Sequence, residues 1–275
     1  MQGVLHKMSI EYKIILDPEE KNAMKLAFQN FFSSIYEREL SDRDWEHQFI
    51  HSPYKDSPLF LALDNKKIIG SALMIAQKFT DGDTTGDYYL WTTSAIDKAY
   101  RSKGIYAELL AKQRAYASET HKSFIFAFPN KLAYPVVKLF GGFKDLKKSN
   151  LVKTTLQDID FSKISNSLII DKVFFDWRFE HKEYLFLTYK SYVLIAKKYE
   201  DTLDILAIYP KNDFDNINIQ YQEVSNKQSI ITLELFLFEN SNVAILDTLN
   251  GTYFPIDKTI NYDKITINLL MSDVF

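Results

Sequence analysis

The sequence predicts an α+β (α/β) chain: a mixed, mainly antiparallel twisted sheet with flanking helices over residues 1–150, then a smaller β-rich unit over residues 151–275. Three observations predict it. Strand-length apolar segments and segments of helical spacing alternate up to about residue 140. Seven of the eight glycines lie at or before Gly142, so the backbone shapes that glycine adopts readily are concentrated in the first half. From Leu151 onward the pattern changes to segments rich in Tyr, Phe and Ile, without a low-complexity linker, so the two parts are expected to pack together.

Tyr12–Leu16 reads as a first strand. Met24, Ala27, Phe28, Phe31, Phe32 and Ile35 then recur at helical spacing over 22–36. Ser41 is placed to cap a helix running to about Ile50, with Asp42 and Asp44 in its first turn, and Pro53 and Pro58 end it. Leu59–Leu63, Lys67–Phe79 and Asp87–Ile96 form an antiparallel meander, turning at Asp64-Asn65 and across Thr80–Gly86. A basic turn follows, then a helix from Gly104 to about Glu119, a short strand Phe124–Phe128, and a helix to about Phe140 stopped by Gly141-Gly142. In the second half, strands are expected at Tyr184–Lys190, Tyr192–Lys198, Leu203–Tyr209, Ile230–Phe238 and Lys264–Leu270. Asn212–Lys227 and Asn240–Asn250 are helices or loops. This order loosely repeats that of the first half, without its basic glycine turn.

Composition narrows the function. The absence of cysteine removes disulfides, thiolate zinc sites and cysteine nucleophiles. A net charge of −3 argues against a nucleic-acid partner. Apolar runs such as Ser167–Ile170 with Val173–Phe175 are too short for a membrane span, and the N-terminus has no signal-peptide core, so a cytoplasmic protein with no membrane partner is expected. His47 and His51 have metal-pair spacing, but no carboxylate pattern accompanies them, and no metal is expected.

The chemistry points to Ile96–Leu110. A strand there runs through a basic, glycine-containing turn directly into an amphipathic helix. Gly104 admits a close ligand, the first amides of the helix are unpaired, and Arg101 and Lys103 add positive charge; together these suit a phosphate group. There is no Walker sequence and no dinucleotide glycine spacing.

Strand, basic turn, helix, strand and Asn130, in that order, resemble the GNAT superfamily of acetyl-coenzyme A-dependent N-acetyltransferases over about residues 10–150. Arg101-Ser102-Lys103-Gly104-Ile105-Tyr106 fits the family's [Q/R]-x-x-G-x-[G/A] loop up to Gly104, with Tyr106 where a small residue is usual. Ile96, Tyr100, Pro129-Asn130 and Gly142-Phe143 fall at the family's strand-end, pre-loop, post-strand and helix-closing positions. Phe128-Pro129-Asn130, with Trp177-Arg178-Phe179 and His181, is similar to a bacterial branch carrying a GNAT-like second half.

The resemblance implies transfer of an acetyl group from acetyl-coenzyme A, as co-substrate, to a primary amine of a small molecule or amino sugar. Attack would be direct, in a ternary complex, with the second half helping to form the acceptor cleft. It implies backbone contacts from Ser94, Ala95 and Ile96 to the pantetheine arm, and phosphate contacts from Arg101, Ser102, Lys103, Gly104, Ile105 and Tyr106. Asn130 would bind the arm or order a water. The family's usual tyrosine acid falls on Lys138 here, and Tyr134, one turn earlier, is the substitute, with a packing role as its alternative. Candidates for the base are the third meander strand, where Asp87, Tyr89, Trp91 and Thr93 alternate with Tyr88, Leu90, Thr92 and Ser94, and Glu37 and Glu39 after the first helix. Trp177 is expected to anchor the two halves. Two alternatives stand beside this reading: a non-catalytic coenzyme A- or metabolite-binding regulator, and a transferase of a larger acyl group.

Overall fold

The computed structural model describes residues 10–180, 183–238 and 243–272. His181 therefore lies outside the described residues. The first-half strands are β1 (Ile10–Ile15), β2 (Leu59–Asp64), β3 (Lys67–Thr80), β4 (Thr85–Ile96), β5 (Phe124–Ala127) and β6 (Lys144–Asp145). They are followed by β7 (Ser149–Thr155), β8 (Leu185–Tyr189), β9 (Tyr192–Tyr199), β10 (Thr202–Pro210), β11 (Gln222–Glu223), β12 (Ser229–Leu233), β13 (Ile245–Leu249) and β14 (Thr252–Pro255). Six α-helices accompany them among the described residues: α1 (Pro18–Tyr36), α2 (Asp42–Trp45), α3 (Ile105–Glu119), α4 (Ala133–Leu139), α5 (Lys172–Phe179) and α6 (Leu269–Ser272).

Two seven-stranded sheets result, in the orders β1-β2-β3-β4-β5-β14-β6 and β11-β8-β9-β10-β12-β7-β13. Both are mainly antiparallel with a parallel pair in the middle, β4–β5 in one and β10–β12 in the other. From the second strand of each list to the last, the parallel and antiparallel pairings repeat in the same order. The first pair differs, since β1–β2 is antiparallel and β11–β8 parallel. The chain leaves the first sheet at Asp145, enters the second at Ser149 and returns at Thr252, where β14 inserts between β5 and β6. The first sheet is thus completed by residues from beyond 250, and the two sheets are not simply consecutive halves.

Local chemistry explains the elements that position the site. Asp17 caps α1 through a bond from the Glu19 amide to its carboxylate (2.7 Å), with Pro18 at the first helical position. Its inward face carries Phe28, Phe31 and Phe32. Ser41 caps α2 as expected, but after Trp45 the turn widens into a π-helix over Glu46–Ile50, so the predicted helix is not regular α throughout.

One expected strand does not form. Residues 265–268 pair with no strand, and α6 begins at Leu269. Side chains take the backbone amides instead: Thr266 N donates to Ser167 Oγ (2.8 Å) and Met271 N to Asn268 Oδ1 (3.1 Å). The apolar alternation that suggested a strand comes from Ile265 and Ile267 packing into the core. The expected Ile230–Phe238 strand ends at Leu233 and turns into a 3₁₀ helix. The segment given as helix or loop at Asn240–Asn250 contains β13; its residues 240–242 lie outside the described residues.

One apolar cluster continues through both halves, and a second fills the opposite face of the first sheet beneath α3. Trp177 joins the halves. It stacks on His47 (centroids 4.7 Å apart, 10° between planes) and donates from Nε1 to the His47 carbonyl (2.9 Å). Asp171 adds a polar junction, accepting from Tyr54 (2.9 Å) and Lys78 (2.8 Å) of the first half.

Candidate active site

The parallel pairing of β4 with β5 covers three residues, Tyr89↔Ile125, Leu90↔Phe126 and Trp91↔Ala127. Beyond Trp91 the strands part. The cause lies on the other side of β4, where the β3 register shifts from Leu73↔Thr92 to Ser71↔Ala95, leaving Thr93 and Ser94 opposite Ala72 alone. This is a β-bulge, and it bends β4. Thr93 accommodates it at φ 49°, in the left-handed region where a β-branched residue is strained.

The gap is a cleft of about 220 Å³. Trp91, Ser94 and Tyr106 line it with Phe128 and Asn130, and Tyr36 and Met271 close it from α1 and α6. Residues of both faces of β4, from Leu90 to Ser94, line it. One buried polar atom there, Trp91 Nε1, has no hydrogen-bond partner among the described residues. The Tyr36 hydroxyl donates to the Ser94 carbonyl (2.9 Å) and burial raises its pKa. Tyr106 stacks obliquely on Trp91 (5.8 Å). Burial holds its hydroxyl above the usual tyrosine range, offset only in part by the neighbouring Ser94 side chain.

At the end of β4 the backbone is built for a helix start open to solvent. Asp97 accepts from the Ala99 amide (2.9 Å) and from Lys67 Nζ (2.8 Å), which holds its carboxyl below the usual range. Tyr100 donates to Asp64 (2.6 Å), and Lys103 Nζ lies 4.4 Å from the Tyr100 ring centroid. The chain then turns through left-handed Ser102 (φ 66°) and Gly104 (φ 77°) into α3. Nothing lies within 4 Å of where a Cβ on Gly104 would sit, and no side chain caps the helix. The first α3 amides, beside exposed Arg101 and Lys103, thus face open space with the positive end of the helix dipole.

Residues 22–141 match the model of the acetyltransferase (GNAT) family. They are a GNAT acetyltransferase domain. Solved structures extend the likeness in fold across 90% of the chain. A conserved protein from Enterococcus faecalis V583, described as a probable N-acyltransferase, has a TM-score of 0.63 at 10% identity, with 73% of its own chain covered. A GCN5-related N-acetyltransferase from Kribbella flavida has a TM-score of 0.60 at 9% identity, with 72% covered. Eis1 from Mycobacterium abscessus has a TM-score of 0.60 at 9% identity, with 74% covered. No curated protein matches the chain in sequence.

Within the GNAT domain the expected site residues separate into three groups. Ser94, Tyr106 and Asn130 line the cleft. Arg101, Ser102, Lys103 and Gly104 form the exposed turn that leads into α3, and Ile105, the first residue of α3, is buried. Ala95 and Ile96 lie outside the cleft lining, each packed into one of the two apolar clusters. The Asn130 carboxamide oxygen is already committed, accepting from the Leu132 (3.0 Å) and Ala133 (2.9 Å) amides at the start of α4.

Tyr134 is not in the lining. Its hydroxyl donates to Asp145 (2.8 Å), which also accepts from Lys138 (2.9 Å), and that carboxylate raises the tyrosine pKa. The base candidates are also engaged elsewhere: Asp87 with Lys122 (3.7 Å), Tyr89 with Asp56 (2.7 Å) and Glu37 with Lys98 (3.8 Å), while Glu39 is exposed. Tyr36 and Met271 were not foreseen as site residues. Tyr36 sits one residue before Glu37 at the end of a helix whose apolar spacing already included Ile35, while nothing local marks Met271.

Proposed function

We propose that this protein transfers an acetyl group from acetyl-coenzyme A to a primary amine of a small molecule or amino sugar, by direct attack in a ternary complex. The supporting observation is the opening of β4 from β5 beside an uncapped, glycine-initiated helix N-terminus. The residues fit the co-substrate: open space at Gly104 for a phosphate group, and unpartnered Trp91 Nε1 along the cleft for an amide-bearing arm. Arg101, Ser102, Lys103, Gly104 and Ile105 would hold the pyrophosphate, and Ser94, Ala95, Ile96 and Asn130 the arm, whereas the Tyr106 side chain lies in the cleft against Trp91. Bound there, acetyl-coenzyme A supplies the activated thioester.

The chain's own part is orientation and proton supply. Tyr106 and Tyr36 are the titratable groups among the described lining residues, and both are kept protonated by burial. We assign proton donation toward the departing thiolate to Tyr106 in preference to Tyr134, whose hydroxyl is held by Asp145. Met271 brings the C-terminal part of the chain to the acceptor side.

A second reading rests on what the lining lacks. Among its described residues no carboxylate, histidine or lysine is placed to take the amine proton, which suits a protein that binds coenzyme A or a metabolite without turnover. Titration calorimetry with acetyl-coenzyme A, followed by thiol-release assays over a panel of amines, separates the two. Binding with thiol release supports transfer, and binding without it across the panel supports the regulator. Absence of binding at high micromolar concentration removes transfer and the coenzyme A-binding form of the second reading. Longer acyl-coenzyme A donors in the same assay show whether a larger group is preferred.

A further inference from the structure

A larger cavity, of about 650 Å³, lies in the second half between α5 and the edge of the second sheet formed by β8 and β11. That is within the ~300–1,000 Å³ of small-molecule pockets. One wall is aromatic. Phe175 and Phe179 of α5 meet Phe186 at 5.4 and 5.0 Å, and Tyr184 stands edge-on to Phe179 at 4.9 Å. All four rings are half-buried, with their inner edges packed on the core.

The opposite wall is a row of carboxamides. Asn218, Gln220 and Gln222 are exposed and all three line the cavity, with Ile219 between the first two. Asp176 and Glu180, four residues apart on α5, complete the polar rim. Asp176 also holds Lys172 in an exposed pair (2.7 Å), which leaves its carboxylate able to accept further bonds.

We infer that this cavity is a binding site for a neutral saccharide, a ligand with hydroxyl groups along its edges and an apolar C–H face. Each carboxamide offers both donor and acceptor, which matches neighbouring hydroxyls. The half-exposed rings supply the surface on which the apolar face of a sugar ring rests. The inference is independent of acyl transfer at the β4–β5 cleft.

The test is titration of the intact protein, without any acyl donor, with cellobiose and N,N′-diacetylchitobiose. Binding is followed by calorimetry and by shifts of the side-chain amide signals of Asn218, Gln220 and Gln222. Choline and 3,3-dimethylbutan-1-ol serve as cationic and apolar controls. Saturable binding of a disaccharide is expected, with those amide signals perturbed, and weakened about fivefold or more in N218A/Q220A, where two exposed side chains are shortened. A second variant, Phe179→Leu, keeps an apolar side chain but removes a ring and is expected to weaken binding with the amide row intact. No binding at concentrations on the order of 10 mM overturns the proposal. So does tighter binding of choline or the alcohol than of either disaccharide, or unchanged affinity in both variants.

Discussion

The two sheets share a backbone device and differ in what is joined to it. In the first, the parallel β4–β5 pairing ends at Trp91, and a bulge follows at Thr93-Ser94. In the second, the parallel β10–β12 pairing covers Leu203 and Asp204, and the β9–β10 register shifts between Ile205 and Ala207. In both, the inner strand bends soon after its parallel partner is lost. The connections differ. Between β4 and β5 runs the turn at Gly104 and the fifteen residues of α3; between β10 and β12 runs a 3₁₀ turn, Lys211–Phe214, and two-residue β11. A helix of that length aims several amides and a dipole at the opening, and a single 3₁₀ turn does not. The phosphate site we propose therefore depends on the crossover and not on the strand order.

The comparison depends on the first sheet being completed by a strand of the second half, and Thr252→Pro attacks that dependence most directly. Residue 252 is fully buried and paired with both Ala127 and Asp145, so proline there removes a ladder donor from an interior strand. A loss of about 3 kcal/mol is expected. In calorimetry the melting temperature should fall by roughly 6–12 °C, with both halves affected in one transition. Separate transitions, with the second unmoved, would mean that the sheets are independent.

The two tyrosines give the next largest effect. Tyr106→Phe should lower turnover about 100-fold with little change in acetyl-coenzyme A affinity, while Tyr134→Phe stays within about twofold. Steady-state kinetics on both variants checks this, and the reverse pattern would return the acid role to Tyr134.

Gly104→Val sharpens the contrast between the crossovers. A β-branched residue at φ 77° is strained and places a side chain into the open turn. Calorimetry should show acetyl-coenzyme A affinity reduced about tenfold, with binding to the second-half cavity unchanged.

The smallest effect concerns how each half buries a cation. Arg178, 2% exposed, donates to the Leu270 carbonyl (3.0 Å) and steadies the segment that carries Met271. Lys21, 3% exposed, donates to the Phe49 (2.9 Å) and Ser57 (2.6 Å) carbonyls, and burial lowers its pKa to about 8. Arginine stays charged in such a site, whereas lysine can release its proton. Between pH 8 and 10 the unfolded chain keeps the Lys21 proton and the folded chain has lost it, so stability should rise with pH by on the order of 1 kcal/mol. Denaturant unfolding at several pH values should show this slope in the wild type and a flatter one in Lys21→Met.

Much of the first half was legible in the sequence because its signals are local. The meander follows from period-two apolar segments and turn residues, α1 from helical spacing, and the turn at Gly104 from a glycine between basic residues ahead of an amphipathic run. What was not legible shares one cause. Ile265 and Ile267 alternate like a strand but are held by Ser167 and Asn268, partners that sequence order does not reveal. Tyr134 was chosen by its place on α4, yet the direction of its hydroxyl depends on Asp145, brought alongside by β6.

By itself the sequence determined the strands and helices of the first half, the helix start at Gly104 and the family those features resemble, since each depends on residues within a turn or two of one another. Tertiary structure alone decided that β14 completes the first sheet, that Tyr36 and Met271 close the cleft, and that Asn218, Gln220 and Gln222 face an aromatic wall. Those outcomes depend on which distant segments pack together, and that choice is made by burial of one shared core and leaves no local pattern to read.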